Sequence, residues 1–323
     1  MWWWSVVAKF KVGTRRSALA TTQTTQVIRE LTSFHAFAEF EMVEIVTKGD
    51  RIQDVALAKV GGKGLFVSDI EAALLDKTID FAVHSMKDVP AKLAPGLAIG
   101  AIPKREDPRD ILITKTGETL HTLKQGAIVG TSSLRRAAQI LALRPDLAIH
   151  LLRGNIDTRL QKLEHLDAVI LAAAGLSRMG WWDGERFCHH GYDYQAMPAA
   201  VDDIIPAVGQ GALAIECREG DKEVLDLLLP LHDLATAAAV LQERAFLDAV
   251  GGSCQVPVGA LAKVDVAQSV STLSAMIGVP DGSRVLKKTQ QGDLSPTLGT
   301  VIAKELLDAG GRSILQTLSS VSE

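Results

Sequence analysis

KVGTRRSALATTQ (residues 11–23) and IVGTSSLRRAAQ (residues 128–139) read as one phrase written twice. Each begins with a short apolar run, passes through Val-Gly-Thr, and then sets hydroxyl and basic residues at the head of a helical pattern. Two further pairs follow in the same order. VEIVTKGD (43–50) resembles IHLLRGNID (149–157), an apolar strand ending in a basic residue, Gly, and Asp or Asn. DFAVHSMKD (80–88) parallels DAVILAAAG (167–175), an Asp followed by a buried strand. Internal similarity in a fixed order marks a repeated architecture. Strands alternating with helices build parallel sheets, so the chain reads as two similar α/β lobes.

Helix starts support this. Ser68-Asp69-Ile70-Glu71 has the spacing of a capping box. Thr131, Ser132 and Ser133 are candidates to cap a helix beginning near Leu134. A strand is expected over 79–84, a helix over 235–249 and a last helix near 296–309. The linker IPKREDPRD (102–110) reads as the first crossing between lobes, and IIPAVGQGALAIECR (204–218) as the return. Texture changes near residue 222, where a smaller α/β domain is expected. The resulting division is 1–103 with 204–222, then 104–203, then 223–323.

Bulk properties narrow the function. The 323 residues are 47% hydrophobic and 22% charged, as in an ordinary globular protein of more than one domain. A net charge of −4 gives no general attraction to nucleic acid or an anionic membrane. Cys188, Cys217 and Cys254 form no CxxC pair, and a reducing compartment fits them best. Cys188-His189-His190 lacks the usual spacing of zinc ligands, so no metal is expected. The start MWWWSVVAKF has no charged region and no cleavage site of the kind that marks a signal peptide. No apolar run reaches membrane-spanning length.

The chemistry gathers at the heads of helices and the ends of strands. Helix N-termini present free N–H groups and bind anions. Arg15 and Arg16 stand at the first such position, and Arg135 and Arg136 at the second. Arg153 and Arg159 follow the second strand of lobe two. Lys59 and Lys63 flank two glycines in AKVGGKGLF, and Lys87 lies in HSMKDVP. Each alone is ordinary surface charge. As a set at strand ends, where open α/β sheets bind ligands, they imply a ligand with several negative groups. Asp88 reads either as a turn former before Val-Pro or as a carboxylate steering protons and cations in that cleft. AKVGGKGLF matches neither phosphate-binding glycine pattern, which argues against a nucleotide. Cys254, in the glycine loop GGSCQVPVGA (251–260), reads either as a small apolar filler or as a nucleophile or covalent tether.

Taken together, VGTRRSALA, VTKGD, LAKVGGKGLF, DFAVHSMKDVP, KREDPRD, VGTSSLRRAAQ, LLRGNIDTRLQKL, DAVILAAAGLSRMG, PAVGQGALAIECR and GGSCQVPVGA resemble the porphobilinogen deaminase (hydroxymethylbilane synthase) family, in family order. The resemblance spans nearly the whole chain and is weaker in the last hundred residues. It implies an α/β fold of two lobes like those of type II periplasmic binding proteins, a cleft between them, and a smaller C-terminal α/β domain. It implies a transferase that joins four porphobilinogen molecules head to tail, with loss of ammonia, and then releases hydroxymethylbilane by hydrolysis. Its cofactor would be dipyrromethane, attached through Cys254.

The resemblance also distributes roles. Asp88 matches the catalytic aspartate, which would stabilise the electron-poor pyrrole formed on loss of ammonia. Ser85, Lys87, Asp88 itself, Thr131, Ser132, Ser133, Arg135, Arg136, Arg153 and Gly154 match positions that hold the cofactor. Arg15, Ser17, Arg153, Arg159 and Arg178 match positions that meet the substrate, and Lys59 and Lys63 match a basic loop bordering the site. The family is usually monomeric. A cytoplasmic enzyme is expected, with a plastid location open if the Trp-rich start is a remnant of a presequence. Neither nucleic acid nor membrane is expected as a partner. Two other readings remain: a non-enzymatic two-lobed anion-binding protein, and a degenerate homologue that binds a partner. The first leaves Cys254 unexplained, and the second predicts damaged motifs where Asp88, Cys254 and the arginines all stand intact.

Overall fold

A computed structural model describes residues 8–47, 67–189, 191–251 and 256–321. Cys254, Lys59, Lys63 and the Trp-rich start lie outside the described residues.

Two five-stranded sheets carry the repeat. In the first, β1 (Ala8–Arg15), β2 (Ala38–Ile45), β3 (Phe81–Ser85), β4 (Leu97–Ala101) and β10 (Leu213–Arg218) lie in the order β2-β1-β3-β10-β4. In the second, β5 (Asp110–Thr114), β6 (Ile128–Gly130), β7 (Ala148–His150), β8 (Ala168–Ala172) and β9 (Gln195–Pro198) lie in the order β7-β6-β8-β5-β9. Position by position the two orders are equivalent. The three parallel strands of each sheet are those paired in the sequence, β1 with β6, β2 with β7 and β3 with β8. The fourth strand of each is antiparallel and is delivered by a crossing from the other sheet. This is the two-lobed α/β arrangement expected from the repeat.

The glycine of Val-Gly-Thr has a packing reason in both lobes. A Cβ on Gly13 would stand 2.4 Å from Ile79 Cδ1, and one on Gly130 2.6 Å from Leu152 Cδ1. A Cβ at either position would force the neighbouring side chain to shift. After each glycine, a serine opens the helix. Ser17 caps α1 (Ala18–Phe34), its Oγ accepting from Ala20 N–H at 3.3 Å. Ser133 caps α3 (Leu134–Leu143), accepting from Arg136 N–H at 3.4 Å. Each satisfies a backbone donor that the helix leaves open.

Several expectations need correction. Helix α2 (Ser68–Leu75) has Val67 at its cap position, so Ser68 is already inside the first turn and makes no cap. Glu71 does not reach back; its carboxylate accepts from Ala94 N–H at 3.1 Å. The strand expected over 79–84 runs over Phe81–Ser85 and ends in a 3-10 turn, Met86–Asp88. Helix α6 (Lys222–Leu228) packs on the first sheet through Val224, Leu227 and Leu228, so the first body runs past residue 222.

Beyond it, α7 (Leu234–Ala249) packs on an antiparallel sheet of β11 (Val258–Asp265), β12 (Val270–Gly278) and β13 (Val285–Gly292). The last helix is longer than expected. It continues from α8 (Thr297–Leu306) through a turn at Gly310, φ 115°, into α9 (Arg312–Val321). No single helix among the described residues is long and apolar enough to cross a membrane.

Candidate active site

Arg15 from the end of β1, Ser17 and Gln23 from the head of α1, and His84, Ser85 and Asp88 from the end of β3 line one cavity. Gln23 is buried and donates from Nε2 to Ser85 Oγ at 3.0 Å, which ties the head of α1 to the strand that presents Asp88. Beneath this end of β3, buried His84 lies 2.9 Å from buried Glu216 of the neighbouring strand.

Lys87 of lobe one and Arg159 of lobe two both come within electrostatic reach of Asp88. Burial pushes the Lys87 ammonium down to about 8; the Asp88 and Asp110 carboxylates act against that shift, while Arg136 and Arg135 add to it. Burial and the Arg136 charge also lower Arg159, with Asp88 again opposing. Arg159 comes from α4 (Ile156–Gln161) in lobe two, so Asp88 of lobe one feels charge across the cleft. Arg159 Nε donates to Gly154 O at 2.9 Å. Gly154 takes φ 101°, and a Cβ there would meet Thr158 Cβ at 2.7 Å, so this tight turn favours glycine.

Arg135 and Arg136 are buried and turned toward Asp110, the first residue of β5. Arg135 Nη1 lies 2.8 Å from Asp110 Oδ2 and donates to Ile205 O at 2.7 Å. Arg136 reaches Asp110 Oδ1 from Nε at 3.0 Å and from Nη2 at 2.7 Å, and Nη1 donates to Ile170 O. Gln210 Nε2 adds a bond to Asp110 Oδ1 at 2.9 Å. Burial alone would raise this carboxyl, but the two guanidiniums outweigh it and hold Asp110 far below the usual carboxylate range. Two positive charges against one carboxylate leave a net positive pocket.

The remaining candidates divide by role. Thr131 is buried and its Oγ1 accepts from Ser133 N–H at 3.2 Å, while Ser132 Oγ donates to Leu152 O. These hydroxyls shape the loop at the head of α3. Arg153 is half-buried in the loop before α4. Arg178 ends α5 (Ala173–Arg178) and is buried where the lobes meet. Its Nη2 donates to Gly211 O at 2.8 Å, and burial, partly offset by Glu106 and Glu30, lowers it to about 10. Cys188 is exposed and forms no metal cluster among the described residues. His189 instead stacks on Trp181, ring centroids 4.0 Å apart, and pairs with Asp157 at 3.0 Å.

Sequence reading missed Asp110, Gln210 and Gln23. Asp110 had one available signal: an acid heading the apolar run ILIT, which cannot be buried unpaired. The two glutamines carried none. Both Gln23 and Gln139 sit six residues after their helix caps, and the two point to different partners. Gln139 holds the backbone of Ile205 through Ile205 N–H at 2.9 Å and Ile205 O at 3.1 Å.

Known proteins resemble this chain in sequence over nearly its whole length. Residues 10–226 match the family model described as porphobilinogen deaminase, dipyromethane cofactor binding domain, and residues 237–308 match its C-terminal domain. The chain is 55% identical over 311 residues to the porphobilinogen deaminase of Brevibacillus brevis, covering 96% of this chain and 97% of that one. It is 52% identical over 307 residues to that of Bacillus subtilis, covering 94% and 95%. Among solved structures, a Salmonella typhimurium periplasmic binding protein of high arginine specificity is 15% identical with a TM-score of 0.39, covering 71% of this chain and 94% of that one.

Proposed function

We propose that this chain, which belongs to the porphobilinogen deaminase family, is a hydroxymethylbilane synthase that condenses four porphobilinogen molecules head to tail with loss of ammonia. Asp88, set among cations from both lobes, is the observation that carries the reading. Each porphobilinogen bears an acetate and a propionate, so a growing chain accumulates carboxylates that a net positive cleft can hold. The dipyrromethane would be attached through Cys254, with Ser85, Lys87, Thr131, Ser132, Ser133, Arg153 and Gly154 along its path. When bound, it would supply the pyrrole carbon from which the chain is extended. The donor set supports this fit, because the helix heads of both lobes and the lysine beside Asp88 favour a multiply charged anion.

The chain's own residues divide the remaining work. Arg15, Ser17, Arg159 and Arg178 orient the incoming carboxylates, with Lys59 and Lys63 bordering the site. The Asp88 carboxylate faces the pyrrole N–H groups that become acidic when ammonia leaves. It stabilises that positive charge and accepts the proton released after coupling. Arg135 and Arg136 serve through the excess charge of their cluster with Asp110. Two lobes, the first running past residue 222 through α6, and a cofactor-bearing C-terminal domain divide this work, and the chain acts as a cytoplasmic monomer.

The Lys87 ammonium near 8 gives a pH signature. Its charge is present below that value and is lost as pH rises through it. KM for porphobilinogen therefore rises about tenfold between pH 7 and pH 9, the loss of one charge-assisted bond, and Lys87→Arg flattens the rise. A wild-type KM unchanged across that range removes Lys87 from carboxylate binding.

Intact mass tests the whole reading. Denatured protein, incubated with porphobilinogen if first purified without it, carries an excess equal to two linked pyrrole units, and Cys254→Ala carries none. An unmodified wild-type mass after incubation favours the anion-binding protein instead.

A further inference from the structure

Helix α7 leads directly into the segment that carries Cys254, and two adjacent side chains on it grip the rest of the molecule. Glu243 is fully buried. It accepts from Arg105 of the first crossing at 2.6 and 3.1 Å, from Gly209 N–H of the second at 2.7 Å, and from Ala262 N–H of β11 at 2.9 Å. Its neighbour Arg244 reaches the loop that follows Asp88. Arg244 Nη2 donates to Pro90 O at 2.8 Å and to Ala91 O at 3.0 Å, and Nη1 to Val89 O at 3.4 Å.

Three consecutive carbonyls converge on one guanidinium. Pro90 has no N–H to offer, so this stretch is rich in acceptors and takes its donors from outside. The planar, five-donor fork of arginine meets such a set; a lysine ammonium has no such geometry. Besides an exposed ion pair between Lys92 and Asp248 of α7 at 3.9 Å, the loop is held by Met86 N–H to Ala212 O at 3.0 Å, by Ser85 to Gln23 before Asp88 and by Ala94 to Glu71 after it, the last three all within lobe one. Arg244 instead comes from the body that bears the cysteine.

We propose that Arg244 is a positioning residue, which holds the Asp88 loop in register with the helix that delivers Cys254. This rests on the roles assigned above to Asp88 and Cys254. Arg244 acts through the loop backbone: without its fork the carboxylate is still present, but its distance from the tethered chain is no longer set. A small misplacement of a reacting group costs much in rate.

The test is a mutant cycle on holoenzyme whose two-pyrrole mass excess has first been verified. Arg244→Met lowers kcat about tenfold while KM for porphobilinogen changes less than about twofold, and Arg244→Lys does not rescue it. In an Asp88→Asn background, the same Arg244 change costs less than about twofold, because the group being positioned is gone. Equal losses in both backgrounds mean a merely structural role and overturn the proposal, as does an unchanged kcat. If Arg244→Met fails to fold, Arg244→Lys, which keeps the charge and stem, carries the same cycle. A wild-type protein that never acquires the mass excess strikes the proposed function instead.

Discussion

Asp88→Asn leaves the chain folded and slows turnover of porphobilinogen by at least about a hundredfold, equivalent to about 2.7 kcal/mol of barrier. The substitution keeps the size of the side chain and its place in the turn Met86–Asp88. It removes the one property the site uses, a negative charge set between Lys87 of lobe one and Arg159 of lobe two. Amide oxygen can still accept a hydrogen bond from a pyrrole N–H, but it neither balances a developing cation nor takes up a proton. Asp88 is partly exposed, so the amide stays within reach of water and the fold stands. Steady-state assay, with circular dichroism as the folding check, measures both halves. Turnover near that of the wild type would falsify the catalytic role.

Asp110→Asn has a different signature: stability falls by about 3–5 kcal/mol, the usual cost of removing one partner from a buried ion pair. The reason is the company Asp110 keeps. Arg135 and Arg136 are both buried against it, and an amide leaves two guanidiniums without a counter-charge. The sign of the pH effect follows. The folded-state pKa of Asp110 lies below its unfolded value, so its contribution is fully present above about pH 4 and is lost as pH falls below it. The wild type therefore loses stability steeply in acid, and Asp110→Asn shows a shallower slope there from a lower starting point. Urea midpoints at pH 7 and at about pH 2 measure both. A midpoint at pH 7 within error of the wild type would mean that the cluster rearranges around its missing member.

The sequence treats these two acids differently. Asp88 was legible because it stands in HSMKDVP after a buried strand, in a motif whose order among others is distinctive. Asp110 stands in KREDPRD, where five other charges precede it, and its one mark is that it heads the apolar run ILIT. What decides its role is that β5 inserts antiparallel beside β8, which buries the head of the strand under α3. The failed capping box at Ser68 has a similar cause. The spacing was right, but the helix begins one residue early, and Glu71 is drawn to Ala94 of the loop behind Asp88.

By itself the sequence determined the repeat, the helix heads at Ser17 and Ser133, the gathering of cations at strand ends and the family to which the chain belongs. These depend on local spacing, on the need of a strand for close packing at Gly13 and Gly130, and on charges near one another along the chain. The tertiary structure alone decided which charges face which. Asp110 meets Arg135 and Arg136 across 25 and 26 residues, Ser85 meets Gln23 across 62, and Arg244 meets Pro90 across 154. A Coulomb interaction or a hydrogen bond depends on separation in space, and only the crossing of the chain between two sheets sets that separation.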